Sequence, residues 1–245
     1  MTHKTKGIVL RTIKYGETSI ITTVYTELFG VQTYIVKGVR KSSNKSQNKS
    51  TFFQPATLLD LIVYHNDLKN LQFIKEFQWS YLYKNIFFDV IKNAVSMYII
   101  ELLQHSLKQP EANPELFYFI ENSLKQLDVF SDKFTANLSL YFILHLAAEL
   151  GFKIRGEFSK TSPVLDLQEG KFVSEIPIHP YYLSEEPAKL TSRINSIQFY
   201  NELESIQLNK FVRRELLRAY QQYLTLHIND IGEMKSLQIL QELLS

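Results

Sequence analysis

Five short β-type runs lie within the first eighty residues, and no other feature of the 245-residue chain constrains its fold as much. β-branched residues are frequent in these runs and partly alternate with polar ones. The runs cover residues 7–14, 18–26, 31–38, 56–64 and 71–77. Gly30 can supply the positive φ of the turn after the second run, and Pro55 lies where a missing N–H is tolerated. Five strands joined by turns predict a small antiparallel barrel.

A basic stretch, Lys37–Ser50, lies between the third and fourth runs and contains no acidic residue. Its cations are separated by Ser, Asn and Gln, which favour loops. Residues 1–80 contain 11 Lys and Arg against 5 Asp and Glu, whereas the remainder contains 16 against 20. Such asymmetry indicates a nucleic-acid or membrane partner, although a solvated loop held open by charge repulsion is the simpler alternative.

A five-stranded barrel with a long basic loop is typical of oligonucleotide-binding (OB) folds, where cations follow the phosphates and rings stack on bases. The aromatic candidates are Tyr15, Tyr34, Phe52, Phe53 and Tyr64, each of which could instead fill a strand or the core. Tyr15 and Tyr34 rank first, because one ends a strand beside Lys14 and the other lies on the more polar strand face. The predicted DNA-binding residues are Arg11, Lys14, Tyr15, Tyr34, Lys37, Arg40, Lys41, Lys45 and Lys49.

Helical spacing of apolar residues replaces strand alternation after Trp79. Helices are predicted over residues 81–107, 114–127, 132–149, 209–228 and 237–244. Residues 152–190 are predicted to be irregular, with a hairpin that turns at Glu169 and Gly170 and is packed by Leu165, Leu167, Phe172, Val173 and Ile176. The fold class is therefore α+β, with an OB-fold domain over residues 1–79 and an all-α bundle domain with a small hairpin insertion over residues 80–245.

A basic stripe on the helix at 209–228 forms the second candidate site. Its members are Lys210, Arg213, Arg214 and Arg218. These residues form either a solvated helix face or a secondary anion site.

Catalytic motifs for nucleotide binding, acyl transfer or zinc proteolysis do not occur in the sequence. Cysteine is absent, which excludes disulfides and thiolate zinc sites. His145 and Glu149 have a possible metal-ligand spacing but lack a second His, so a packed pair is the favoured interpretation. We expect no metal, no cofactor and no enzymatic activity; a nuclease built on scattered acids is a minor alternative. No run is long enough to span a membrane, which predicts a cytoplasmic protein.

Several short motifs, taken in order, make the chain resemble a known family. They are Gly-Ile-Val-Leu-Arg (7–11), Tyr-Gly-Glu-Thr-Ser (15–19), Thr-Glu-Leu-Phe-Gly (26–30), Val-Lys-Gly-Val-Arg-Lys (36–41) and Phe-Gln-Pro-Ala-Thr-Leu-Leu-Asp-Leu (53–61). Their order and spacing resemble the N-terminal domain of the bacterial DNA repair protein family RecO, most specifically over residues 6–76. The resemblance implies an OB-fold barrel followed by a helical domain, in a nucleoid-associated, non-enzymatic recombination mediator.

The resemblance also implies partners. A RecO-like mediator binds and anneals single-stranded DNA, binds duplex DNA, and with RecR helps RecA replace single-strand binding protein, whose acidic C-terminal tail it binds on its helical domain. Many RecO-like chains carry a four-cysteine zinc module near residues 152–190, which this sequence lacks. An RNA-binding or ribosome-associated OB-fold protein remains the alternative.

Overall fold

The computed structural model describes residues 1–40, 49–107 and 110–244. It divides into two compact units, the first formed by Met1–Phe87 and Ile100–Asp128 and the second by Phe88–Ile99 and Val129–Ser245. The division at residue 79 stays a prediction.

The first unit contains the predicted five-stranded barrel. Its strands are β1 (Thr2–Tyr15), β2 (Ser19–Thr26), β3 (Gly30–Val36), β4 (Leu58–Tyr64) and β5 (Gln72–Tyr81). The sheet closes in the order β1-β2-β3-β5-β4, and β4 pairs back onto β1. All pairings are antiparallel except that of β3 with β5, which is parallel and joins Tyr34 to Gln72 and Ile35 to Phe73. The core of the barrel contains Val9, Val24, Leu59 and Leu61, so the predicted barrel is confirmed.

The turn predicted at Gly30 has the expected backbone. Gly30 has a φ of +59°, and a Cβ there would lie 2.3 Å from the carbonyl oxygen of Glu111, so glycine is needed for both conformation and space. A short 3-10 helix, Lys49–Phe53, leads from the basic stretch into β4.

Helices follow the barrel. They are α1 (Val90–Ser106), α2 (Pro114–Val129), α3 (Asp132–Glu149), α4 (Glu185–Asn195), α5 (Lys210–His227) and α6 (Lys235–Leu243). The predicted start of the first helix at residue 81 is wrong, because β5 continues to Tyr81 and Asp89 caps α1 instead. Asp89 Oδ1 accepts the N–H groups of Ile91 and Lys92 at 2.9 Å.

The predicted irregular region folds into a small sheet. Strands β6 (Val164–Asp166) and β7 (Lys171–Val173) form the expected hairpin, and β8 (Tyr182–Leu183) pairs with the other edge of β6. Leu165 and Leu167 are buried as predicted. Ile176 was expected to pack the hairpin, but it is 63% exposed because the chain leaves β7 at Val173 and runs outside the sheet.

His145 and Glu149 do not converge on a metal-like site in the described part of the chain. His145 Nδ1 donates to the Tyr141 carbonyl at 3.0 Å, and its ring stacks on that of Tyr141 at 3.8 Å. Burial lowers the pKa of His145, which favours the neutral imidazole of a packed residue. Across residues 1–40, 49–107 and 110–244, no three His, Cys, Asp or Glu side chains group as metal ligands.

Candidate nucleic-acid interface

The barrel opens where β3 and β5 separate, and this opening forms a groove. The two strands pair at two positions, after which β3 ends at Val36 while β5 continues. The resulting space, about 460 Å³, is called here the closure groove. Its cations and rings are Lys37, Lys49, Lys75, Tyr64, Phe73 and Phe77, and none of the described residues that line it is acidic. Cations interleaved with aromatic rings are the side chains that single-stranded nucleic acid requires.

Two exposed rings lie on neighbouring strands at one side of the closure groove. Tyr64 on β4 pairs in register with Phe73 on β5. The residues are 47% and 41% exposed, respectively. Lys37, the first residue after β3, places its Nζ 5.5 Å from the centre of the Phe73 ring, which is within range of a cation–π contact. Tertiary pairing therefore brings together a cation and two rings that are distant in sequence.

A second aromatic cluster packs beside the segment that carries Lys49. After a bulge in β5 between the partners of Ile62 and Val63, Phe77 packs against the barrel core, whereas Trp79 is 36% exposed. Phe52 stacks on Trp79 at 3.8 Å with an interplanar angle of 11°. Since Phe52 belongs to the same 3-10 helix as Lys49, this stacking fixes the segment that carries Lys49 at the groove.

Arg40 is held on the turn between β1 and β2 instead of lining the groove. Its backbone N–H donates to the Thr18 carbonyl at 3.0 Å, and its guanidinium donates to the Gly16 carbonyl at 3.0 Å. This anchors the start of the basic stretch near the exposed C-terminal end of β1. The predicted residues exposed on that strand are Arg11, Lys14 and Tyr15.

Tyr34 was predicted to stack on a base, and its buried position contradicts this prediction. Its side chain is fully buried in the barrel core, with 0% exposure. Burial also raises the pKa of its hydroxyl. β3 turns this ring inward at the point where it meets β5, so no face is available to a base. Lys41 and Lys45 lie outside the described residues.

Phe73 and Lys75 are the interface residues that sequence reasoning missed. Strand alternation alone does not distinguish Phe73 from a core residue. The signal would have been the pairing of β5 with β3, which places Phe73 beside Ile35 and therefore close to Lys37. Such a parallel closing pair is non-local and has no local sequence pattern.

Two lysines of the first unit are neutralised by one buried carboxylate. Glu121 is buried and accepts Lys6 Nζ at 3.0 Å and Lys125 Nζ at 3.1 Å. Burial opposes the charge on Lys6, but its hydrogen bond and ion pair with Glu121 outweigh this and raise the pKa of Lys6. These two lysines are therefore committed to Glu121, unlike those of the closure groove.

The second candidate site lies between α5 and α6 in the second unit. Arg214 and Arg218 line a groove of about 240 Å³ with Gln238, Gln241 and Glu242, called here the α5–α6 groove. Lys210 is exposed one turn earlier, where its Nζ lies 5.5 Å from the ring of Phe211, which is 71% exposed. Two members of the predicted stripe, Arg214 and Arg218, thus line a groove, and the anion site stays a prediction.

Arg213 was predicted as part of this anion site, and the structure places it elsewhere. Its guanidinium points inward and donates to the carbonyls of Leu208 at 3.3 Å and Leu244 at 3.4 Å, and to Asn137 Oδ1 at 3.4 Å. Burial lowers its pKa. Arg213 therefore ties α5 to neighbouring backbone and does not face a ligand.

Comparisons with known proteins point to one family. The family model described as recombination protein O N terminal matches residues 1–83, and the model described as recombination protein O C terminal matches residues 88–238. The chain is 31% identical over 247 residues to a protein of Phocaeicola vulgatus, with all of both chains covered. It is 32% identical to proteins of Christiangramia forsetii, with 98% of each chain covered, and Flavobacterium psychrophilum, with 99%.

These three relatives carry the name DNA repair protein RecO. No helix in the described ranges is long and apolar enough to cross a membrane.

Proposed function

The chain belongs to the recombination protein O family of DNA repair proteins, and from this premise we propose that it is a non-enzymatic recombination mediator that binds and anneals single-stranded DNA. The observation that carries the proposal is the closure groove, which joins three lysines to two exposed rings without an acidic residue. A mediator needs binding energy and geometry but no reacting group, metal or cofactor. Its place of action is the cytoplasm, on the nucleoid.

Phosphate attraction supplies most of the proposed affinity. The contributing cations are Arg11, Lys14, Lys37, Arg40, Lys41, Lys45, Lys49 and Lys75. Because these groups recognise charge and not sequence, single-stranded and duplex DNA both bind, and binding weakens with salt. If four to six phosphates of a single strand are neutralised, the log–log salt slope is roughly −3 to −4.

Annealing follows from the same charges. Two complementary strands repel each other through their phosphates, and a shared basic surface screens this repulsion while keeping both strands at high local concentration. Exposed rings hold bases unstacked, so that they remain available for pairing. Tyr15 on the end of β1 and the pair Tyr64 and Phe73 are the rings proposed for this contact.

The α5–α6 groove is the proposed binding site for the acidic C-terminal tail of single-strand binding protein. Arg214 and Arg218 would pair with tail carboxylates, with Lys210 adding charge, and the exposed ring of Phe211 offers an apolar contact. Binding this tail would bring the mediator to covered strands. With RecR as partner, the protein would then help RecA to replace single-strand binding protein.

Salt-dependent binding to a fluorescent single-stranded oligonucleotide tests the proposal. We expect the triple variant K37Q/K49Q/K75Q to flatten the log–log salt slope by about 2 and to slow annealing of complementary strands. The matched control K133Q/K160Q/K189Q removes the same charge from exposed lysines of the second unit and should leave the slope unchanged.

Two results would contradict the proposal. Equal salt slopes for the groove variant and the control would show that DNA does not bind in the closure groove. A strong preference for RNA over DNA of the same sequence would favour an RNA-binding OB-fold protein instead.

A further inference from the structure

We infer that Phe73 and Tyr64 form a stacking subsite for one unpaired nucleobase, and that Lys37 covers this subsite until a phosphate draws its ammonium away. The inference rests on the proposed DNA binding and adds a basis for choosing single strands over duplex. The ligand is an unstacked base of a single-stranded nucleic acid, and the residue that decides specificity is Phe73.

Strand register creates the subsite. Tyr64 and Phe73 are direct cross-strand partners on β4 and β5, and both are more than one-third exposed. The next rings along β5 differ. After the bulge before Glu76, Phe77 packs against Phe53, and Trp79, although 36% exposed, is stacked on Phe52. Tyr64 and Phe73 are therefore exposed rings without an aromatic packing partner in the described chain.

No other aromatic ring of the described residues packs on Tyr64 or Phe73. The aromatic contacts of the described chain include Phe77 and Trp79 but no ring packed on Tyr64 or Phe73. The ammonium of Lys37 lies over the Phe73 ring, 5.5 Å from its centre, in a cation–π contact. A cation above a ring occupies the place that a stacked base would take.

Lys37 can exchange partners at little cost. It is exposed and lies on a flexible four-carbon side chain, and a cation–π contact at an exposed site is weak. A phosphate that enters the closure groove offers the ammonium a full opposite charge. The ammonium then moves to the phosphate, and the adjacent base of the same strand takes the Phe73 face.

Strand selectivity follows from this exchange. In a duplex the bases are stacked and paired, so a duplex can satisfy Lys37 but cannot place a base on Phe73 without unstacking it. Lys37 is thus a contact for both kinds of DNA, whereas Phe73 is a contact for single strands alone.

The test compares F73L with K37Q, and F88L serves as a matched control. Leucine keeps apolar volume at position 73 but removes the π-face, and Phe88 is 84% exposed on the second unit. We expect F73L to weaken single-strand binding roughly 5- to 100-fold, to leave duplex binding within about twofold, and to leave the salt slope unchanged. K37Q should flatten the single-strand slope by about 0.7 and weaken both kinds of DNA.

An abasic oligonucleotide of the same length supplies a measurement that requires no variant. The unaltered protein should bind it more weakly than the intact strand, and F73L should show a smaller difference between the two strands. Equal affinity of the unaltered protein for abasic and intact strands would overturn the subsite. So would an F73L defect that is as large on duplex as on single strands.

Failure of this inference is separate from failure of the proposed function. If the unaltered protein binds no DNA in the salt titration, the proposed function itself is overturned. If it binds with the expected slope but F73L and F88L behave alike, DNA occupies the groove through phosphates alone and only the stacking subsite is lost.

Discussion

The closure groove and the α5–α6 groove both present cations, yet their surroundings differ in a way that separates their ligands. The barrel groove combines three lysines with exposed rings and has no acidic residue in its lining. The helical groove combines two arginines with amides and Glu242. A basic groove with aromatic rings suits a nucleic-acid strand, whose phosphates and bases it can both contact. Two arginines beside a carboxylate suit a short acidic peptide, whose individual carboxylates pair with individual guanidinium groups.

The two grooves also rest on different supports. The side walls of the closure groove are strands, two of which form a parallel pair, and the nearby rings of Phe52 and Trp79 stack on each other. The α5–α6 groove is formed by side chains along two helices, one of which begins at the Asn209 cap. If the grooves are independent, a substitution in one unit should leave the ligand of the other unit bound.

Removal of Asp128 should destabilise the first unit most. This buried carboxylate accepts the backbone N–H groups of Lys84, Asn85 and Ile86 at 2.7–3.1 Å, and so fixes the chain that follows β5. We expect D128A to cost roughly 3–5 kcal/mol, because it leaves three backbone donors without their acceptor, and one of them, the N–H of Ile86, is buried. Thermal unfolding followed by the fluorescence of Trp79, the single tryptophan, measures the change.

If the two grooves are independent, D128A should lose single-strand binding at a temperature where tail-peptide binding persists. Simultaneous loss of both activities would show that the two units unfold together.

The same carboxylate gives a pH dependence with a defined sign. Burial raises the pKa of Asp128, but the three backbone donors outweigh it and hold the pKa below its ordinary 3.8. A lowered folded pKa means that the ionised group stabilises the fold above the unfolded pKa and loses this contribution as pH falls through the folded value. We expect the difference in unfolding free energy between D128N and the unaltered protein to shrink below about pH 4, as measured by denaturant titration. A difference that stays constant down to pH 2 would contradict the assignment.

Charge reversal in the α5–α6 groove should separate the two ligands. We expect R214E/R218E to weaken binding of an acidic single-strand binding protein tail peptide by about 100-fold, since two charged hydrogen bonds contribute roughly 1.5 kcal/mol each. Single-strand DNA binding should change by less than about twofold. Isothermal titration with the synthetic peptide measures the first effect, and K133E/K189E is the control for net charge. Loss of DNA binding with intact peptide binding would reverse the two assignments.

Local patterns predicted the strands of the barrel but not its interface. Alternating β-branched residues and Gly30 set strands and turns, and both depend on neighbours in sequence. The closure groove depends on the pairing of Ile35 with Phe73, which are far apart in the chain. The late start of α1 also depends on a distant residue. Asp128, which lies on α2, accepts the backbone N–H groups of residues 84–86, and the sequence pattern after Trp79 does not show this contact.

The basic helix shows the same limit at the scale of single side chains. Arg213 and Arg214 are adjacent, and both appeared as members of one cationic stripe. Arg213 is drawn inward by the carbonyls of Leu208 and Leu244, while Arg214 lines the α5–α6 groove. Sequence spacing predicts the helix face to within one residue. It does not predict the hydrogen bonds that turn Arg213 inward and leave Arg214 at the groove, because these depend on tertiary structure.

Tyr34 gives the smallest and most direct test of that limit. Its hydroxyl is buried without a hydrogen-bond partner in the described chain, whereas the equally buried Tyr83 hydroxyl donates to the Ala56 carbonyl at 2.9 Å. We expect Y34F to leave stability unchanged or to raise it by up to about 1 kcal/mol, and Y83F to lower it by about 1 kcal/mol. Both values come from denaturant unfolding. Y34F should also bind single-stranded DNA as the unaltered protein does, since its ring fills the barrel core. A loss of DNA affinity in Y34F without a loss of stability would return Tyr34 to the interface and make the barrel core itself part of the site.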